Sequence, residues 1–410
     1  MTAGIRIALL RLIRPGYAMK TFKHLNRLWI TLALLTLSLL CILVAICITN
    51  RIDYHNNDFF SFFLAGHLVV TGGDPYSSAQ WVPAHQTFNV TWVSDQAFLY
   101  PLPLALLFAP FGLLSLYTAF VLWLALSEGM ILASLWMLTS LKGIPGAKRL
   151  LIPLLAGVIF FRPTTLTLFQ GQISAWLCFL LVAVVYLWEK GHWEWGSLLL
   201  PLLMLKPNIG APLILLLGLW LLFQKRYRSL WFILLGGVAL LLIGFIQDPR
   251  WVVEYWSIGN TKLAATFGGS PTVWGLGALI FHNRPVGTLL LGGGCALLVL
   301  FGFFWSALRP GVARSPLAVI GLAVTVTLLV TPYTWPYDQL LLLIPIVGLT
   351  LALHRLGFRL LISSTLILVF DLLAFLLLIP DSILGVEILN VIIPIIIFGL
   401  CLWETHTLPR

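Results

Sequence analysis

Charge is what this chain has least of. Asp, Glu, Lys and Arg make up 9% of its 410 residues and hydrophobic residues 60%, whereas soluble globular chains carry roughly 25% charged residues. No polar stretch is long enough to build a soluble domain. Cysteine is scarce as well. Cys41, Cys47, Cys178, Cys295 and Cys401 all fall in apolar segments, which argues against a disulfide framework and for small buried hydrophobes. There is no His pair with metal-ligand spacing on one helix, no Walker-type glycine loop and no nucleophile elbow. No internal repeat stands out, and the two halves show no matching interrupted helices, which weighs against a transporter.

What the chain does have is long apolar runs. Runs of about 18 residues or more read as transmembrane helices, and clear ones cover 29–49, 172–188, 229–246, 286–307, 358–378 and 388–403. The expected fold class is therefore all-α, a polytopic integral membrane protein of about twelve transmembrane helices. A single membrane domain spans 29–403, between a basic N-terminal segment over 1–28 and a short tail over 404–410. The first run is too long for a signal-peptide core and Ile48-Thr49-Asn50 is no small-residue cleavage site, so it is expected to be retained.

The net charge of +10 reads as a topology signal. Basic residues cluster between runs, at Arg6, Arg11, Arg14, Lys20, Lys23 and Arg27, then at Lys142, Lys148 and Arg149. Further clusters are Lys225, Arg226 and Arg228, then Arg309 and Arg314, then Arg355 and Arg359. The positive-inside rule puts all of these in the cytoplasm, with no nucleic-acid partner implied. Two long loops, about 51–97 and 247–285, then fall outside, with shorter ones near 162–171, 206–208, 332–338 and 380–387. Trp81, Trp92, Trp251, Tyr255, Trp256 and Trp274 suit the long loops to the membrane interface. The stretch 98–139 has two resolutions. Either Phe98–Gly112 is interfacial, or 98–139 crosses twice and 196–223 is a single span; the charge pattern favours the first.

Only Arg51, Arg162, Lys206, Arg250, Lys262 and Arg284 are cations on the expected outer side. Lys206-Pro207-Asn208 interrupts apolar sequence, so Lys206 either snorkels or meets a phosphate in a polar cavity. Asp58 is flanked by Phe59, Phe60, Phe62 and Phe63. A carboxylate amid that aromatic surface is partly desolvated, which raises its pKa and makes it a better base. Gly72-Gly73-Asp74-Pro75-Tyr76 is a turn signature that shapes the loop presenting Asp58. Gln170-Gly171-Gln172 could bond sugar hydroxyls or cap a helix. The turn from Pro332 to Tyr337-Asp338 suits carbohydrate or an interfacial belt. Glu128 and Asp371 fall inside runs and read as structural, facing the bundle interior or a cavity.

Taken together these segments resemble glycosyltransferase family 87. The resemblance rests on Asp58 with Ala65-Gly66, Gly72-Gly73-Asp74-Pro75-Tyr76, Phe98-Leu99-Tyr100-Pro101-Leu102-Pro103 with Pro110, Gly171-Gln172, Lys206-Pro207, and Pro332 through Tyr337-Asp338. Phe62, Leu102 and Ile173 depart from its pattern, where tyrosine, proline and asparagine are common. The resemblance implies a GT-C type membrane mannosyltransferase. It also implies a polyprenyl-phosphate sugar donor, a lipid or lipid-linked glycan acceptor, and chemistry on the outer face of the plasma membrane. On that reading Asp58 is the catalytic base. Lys206, Arg162, Arg250 and Lys262 face the donor phosphate, and Gln172, Tyr337 and Asp338 face the sugar. Asp74, Tyr76 and Tyr100 shape the loop. A single-phosphate leaving group makes a divalent metal less necessary, so no metal and no cofactor is expected. A transporter or flippase of lipid-linked glycans is the alternative.

Overall fold

The computed structural model describes residues 15–90, 95–141, 150–266, 269–282, 284–309, 312, 315–355, 360–380 and 387–407, with only the backbone described over 15–30, 260–266, 355 and 360–367. Arg6, Arg11, Arg14, Trp92, Lys142, Lys148, Arg149, Arg314 and Arg359 lie outside the described residues, as do the side chains of Lys20, Lys23, Arg27, Lys262 and Arg355.

Among the described residues every regular element is a helix. The chain runs through α1 (Pro15–Thr49), α2 (Asp58–Val70), α3 (Ser78–Thr87), α4 (Leu102–Gly112), α5 (Leu116–Thr139), α6 (Leu151–Phe160), α7 (Arg162–Gln170), α8 (Ser174–Glu189) and α9 (Trp193–Leu199). A 3₁₀ turn (Leu200–Leu205) leads to α10 (Pro207–Phe223), α11 (Tyr227–Gln247), α12 (Trp251–Thr266), α13 (Val273–Ile280), α14 (Pro285–Ala307) and α15 (Pro316–Val330). A second 3₁₀ turn (Pro336–Leu342) continues into α16 (Leu343–Arg355), followed by α17 (Leu360–Leu376), a 3₁₀ turn (Ile388–Val391) and α18 (Ile392–Thr407).

Six described helices are long and apolar enough to cross a membrane, or seven if α6 and α7, bent by 62° at Phe161, form one span. The expected twelve is not reached on length. Proline and polar steps cut several apolar runs into helices of 10–17 residues, because a hydropathy window averages through breaks that the backbone does not. The expected loop at 162–171 is itself helical, as the nine-residue α7, with Pro163 in its first turn. The 98–139 ambiguity resolves toward one long helix, α5, after a short α4. The 196–223 stretch is not a single span, since it breaks at Lys206.

Leu34, Leu35, Leu241 and Leu298 on α1, α11 and α14 are exposed, as side chains facing lipid should be. Almost every residue of α15 is buried, and it packs against α14, α16, α18 and α10 at the centre of the bundle. Cys47 departs from the expected burial, lying exposed on α1, whereas Cys41, Cys178 and Cys401 are buried.

α2 and α4 pack closely. A side chain at Gly66 would run into the backbone carbonyl of Phe108, so this crossing requires glycine. Asn57 starts α2 by accepting from the Phe60 amide through its side chain, and its own amide donates to the Phe169 carbonyl at 3.3 Å. The start of α2 is thereby tied to the end of α7.

Candidate active site

Asp58 is the first residue of α2, where the free amides and dipole of a helix N-terminus favour a carboxylate. Phe59 behind it is fully buried and packs on Phe120, with centroids 5.1 Å apart. The half-buried Asp58 therefore sits on an aromatic floor, as the sequence implied. Burial raises its pKa above the ordinary carboxylate value, opposed by a hydrogen bond from Gln172 and by the Lys206 charge.

Gln172 reaches Asp58 because of how α7 ends. Gly171 takes a left-handed conformation, φ +61°, and the Gln172 amide closes back on the Thr167 carbonyl at 2.9 Å. An added Cβ at Gly171 would lie 2.5 Å from Phe59 Cβ and 2.9 Å from Phe120 Cε2. The Trp123 indole holds the Gly171 carbonyl at 2.8 Å. Thus Gln170 closes one helix, and Gln172 stands just ahead of the next.

Gln172 Nε2 donates to Asp58 Oδ2 at 2.6 Å, and its Oε1 accepts from Lys206 Nζ at 3.3 Å. Lys206 sits in a non-helical kink between the first 3₁₀ turn and α10, φ −130° and ψ 85°, kept out of the helical region by the proline that follows. It is 2% exposed. Its ammonium donates to Asp338 Oδ1 at 2.5 Å and lies 4.6 Å from the centre of the Tyr337 ring. Asp338 is fully buried. Its Oδ1 also accepts from Ser174 Oγ at 2.9 Å. Its Oδ2 accepts from Thr334 Oγ1 at 3.1 Å and from the Trp335 amide at 3.2 Å. The result is a polar thread, Asp58–Gln172–Lys206–Asp338, running from a half-buried carboxylate into the core.

Four sequence-marked residues from distant segments, Asp58, Gln172, Lys206 and Asp338, are thus in contact. Tyr337 caps the lysine. Tyr100 lies beside Asp58: burial and that negative charge push its hydroxyl well above the usual tyrosine value, so it stays a donor. Phe62 packs edge-on against Tyr100 at 5.1 Å. Asp74 makes a local turn, accepting from the Tyr76 amide at 2.8 Å, and the Tyr76 hydroxyl donates to the Tyr100 carbonyl at 2.7 Å. Both are loop-shaping contacts.

Arg162 joins a different set. It is buried and donates to Glu387 Oε1 at 2.8 Å and Asn390 Oδ1 at 3.4 Å. Arg250 is exposed, near Glu254 at 3.6 Å and Asp248 at 4.0 Å. Ser174 carried no mark in the sequence, because hydroxyls in helices usually bond their own backbone, and Thr334 lay within the marked turn from Pro332 to Asp338 without a role of its own. The one signal was Ser174 standing two residues after Gln172. Among the described residues no group of three or more His, Cys, Asp or Glu could hold a metal ion.

The family model described as glycosyltransferase family 87 matches residues 98–332, more than half of the chain. Gln172 and Lys206 fall inside the match, and Asp58 and Asp338 fall outside it. The two pairs are joined by the hydrogen bonds above. No curated protein and no solved structure matches the chain.

Proposed function

The chain belongs to glycosyltransferase family 87, a membrane glycosyltransferase, and from that premise we propose that it moves a hexose, mannose first among candidates, from a polyprenyl-phosphate donor to a lipid or lipid-linked glycan acceptor on the outer face of the plasma membrane. The observation that carries this reading is the Asp58 carboxylate, half-buried at a helix start and fixed at 2.6 Å by Gln172.

Asp58 takes the proton from the acceptor hydroxyl. The acceptor oxygen bonds to the anomeric carbon, the bond from that carbon to the phosphate oxygen breaks, and polyprenyl phosphate leaves. The charges of the thread suit this step. With all three groups ionised, Asp58, Lys206 and Asp338 sum to one negative charge. Protonation of Asp58 brings the sum to zero as negative charge gathers on the departing phosphate. Lys206 contributes from beneath and fixes the Gln172 amide, acceptor side to lysine and donor side to aspartate. Arg250 and Lys262 are the proposed rim cations for the phosphate, and the Tyr100 hydroxyl and the Tyr337 ring are the proposed contacts for the sugar.

Asp58→Asn keeps the shape and removes the base. Purified variant should lose about 100-fold or more in transfer from radiolabelled polyprenyl-phosphate mannose. A near wild-type rate would remove Asp58 from the mechanism. Running the wild type against a series of polyprenyl-phosphate sugars, one at a time, identifies the sugar.

A further inference from the structure

At the other end of the hairpin that carries Lys206 lies a polar cavity of about 500 Å³. The two arms are Trp193–Leu205 and α10, and both meet at Lys206. α10 has 17 residues, so the cavity lies about 25 Å from the site. Trp193 and Glu194 form one wall, and Gln224 through Ser229 form the other.

The lining carries three cations, Lys225, Arg226 and Arg228, against one carboxylate, Glu194. Arg228 Nε sits 3.3 Å from Glu194, which leaves two positive charges uncompensated within the cavity. Arg226 is stacked 3.7 Å over the Trp193 ring, so its guanidinium is held in place. Lys225 takes a left-handed conformation, φ +56°, where a helix end normally uses glycine. Its amide and that of Arg226 still close on Leu222 and Leu221. α11 opens on the same cavity with no side-chain cap at Arg226, so the amides of its first turn add to the positive potential. Trp193, Tyr227 and Trp231 provide the aromatic ring typical of headgroup depth.

We propose that this cavity binds a phosphate-bearing anion, the headgroup of an anionic lipid. Basic pockets between membrane helices recognise such headgroups. The bound headgroup ties the feet of both arms together and so steadies the apex where Lys206 sits.

The full chain, purified in neutral detergent, is melted with added phosphatidylglycerol, with phosphatidylcholine, or with inorganic phosphate. Phosphatidylglycerol should raise the melting temperature and phosphatidylcholine should not. In Lys225→Gln/Arg228→Gln, whose side chains are exposed and outside the transfer site, apparent affinity should fall about tenfold. Arg309→Gln, in a different basic cluster, should bind like wild type. Stabilisation by inorganic phosphate as well keeps the site and shows that phosphate alone suffices. Equal response to both lipids, or an unchanged response in the double variant, overturns the proposal.

Discussion

Asp338→Asn is the most revealing single change in this protein. Lys206 is 2% exposed and its ammonium has three partners: the Asp338 carboxylate, Gln172 Oε1 at 3.3 Å and the Tyr337 ring. Losing the carboxylate charge leaves a buried ammonium with two neutral amide oxygens and one ring, and no carboxylate in contact. Such an uncompensated charge costs about 3–5 kcal/mol. The reverse change is milder. In Lys206→Met the Asp338 carboxylate keeps three donors, Ser174 Oγ, Thr334 Oγ1 and the Trp335 amide, and it still caps the 3₁₀ turn. That loss should be about 1–3 kcal/mol. Lys206→Met/Asp338→Asn leaves no buried charge in the pair and should be less destabilised than the sum of the singles by at least about 1 kcal/mol. The assay is a double-mutant cycle by chemical unfolding of purified protein in micelles, with transfer activity measured alongside. The reasoning is refuted if Asp338→Asn falls within about 1 kcal/mol of wild type, or if Lys206→Met is the worse single.

Other outcomes follow from the same contacts. Asp58 must be ionised to accept a proton and its folded pKa is raised, so kcat/KM should climb with pH through a limb above the ordinary carboxylate value of 3.8. Gln172→Leu and Lys206→Met each remove an influence that lowers that pKa, so both should move the limb to higher pH. An unmoved limb in either variant means another group titrates. Gly171→Ala places a methyl against Phe59 and Phe120 at a left-handed residue; about 1–2 kcal/mol of stability and most of the activity should go together, whereas unchanged kinetics would dissociate the α7 terminus from Asp58. Transfer should survive exhaustive chelation, and activity abolished by chelator and restored by magnesium or manganese would reverse that.

Much of the site was legible because each of its members is a polar residue where the sequence is otherwise apolar. Asp58 stands in front of four phenylalanines, Lys206 interrupts leucines, and Asp338 follows a run of aromatics. What their positions do not encode is who meets whom. The Lys206–Asp338 pair joins residues 132 apart, and the Arg162–Glu387 pair residues 225 apart. For Arg162 the resemblance implied a phosphate contact, and tertiary packing sets it against a carboxylate and an amide. Helix count was the least legible feature. Pro163, Pro201 and Pro207 end or bend helices inside runs whose mean hydropathy stays high.

The break at Lys206 also bears on how deep the proposed reaction would lie. α10 has 17 residues, about 25 Å of helix, against a hydrocarbon layer of about 30 Å. With its basic foot at water, its other end would stop several ångströms short of the opposite surface. On the proposed function, a sugar donor reacting beside that end would meet few solvent molecules. Attack by water, which would waste the donor as free sugar, then competes poorly with attack by an acceptor delivered sideways from the lipid. On the proposed function, a helix too short to span would set the ratio of transfer to hydrolysis.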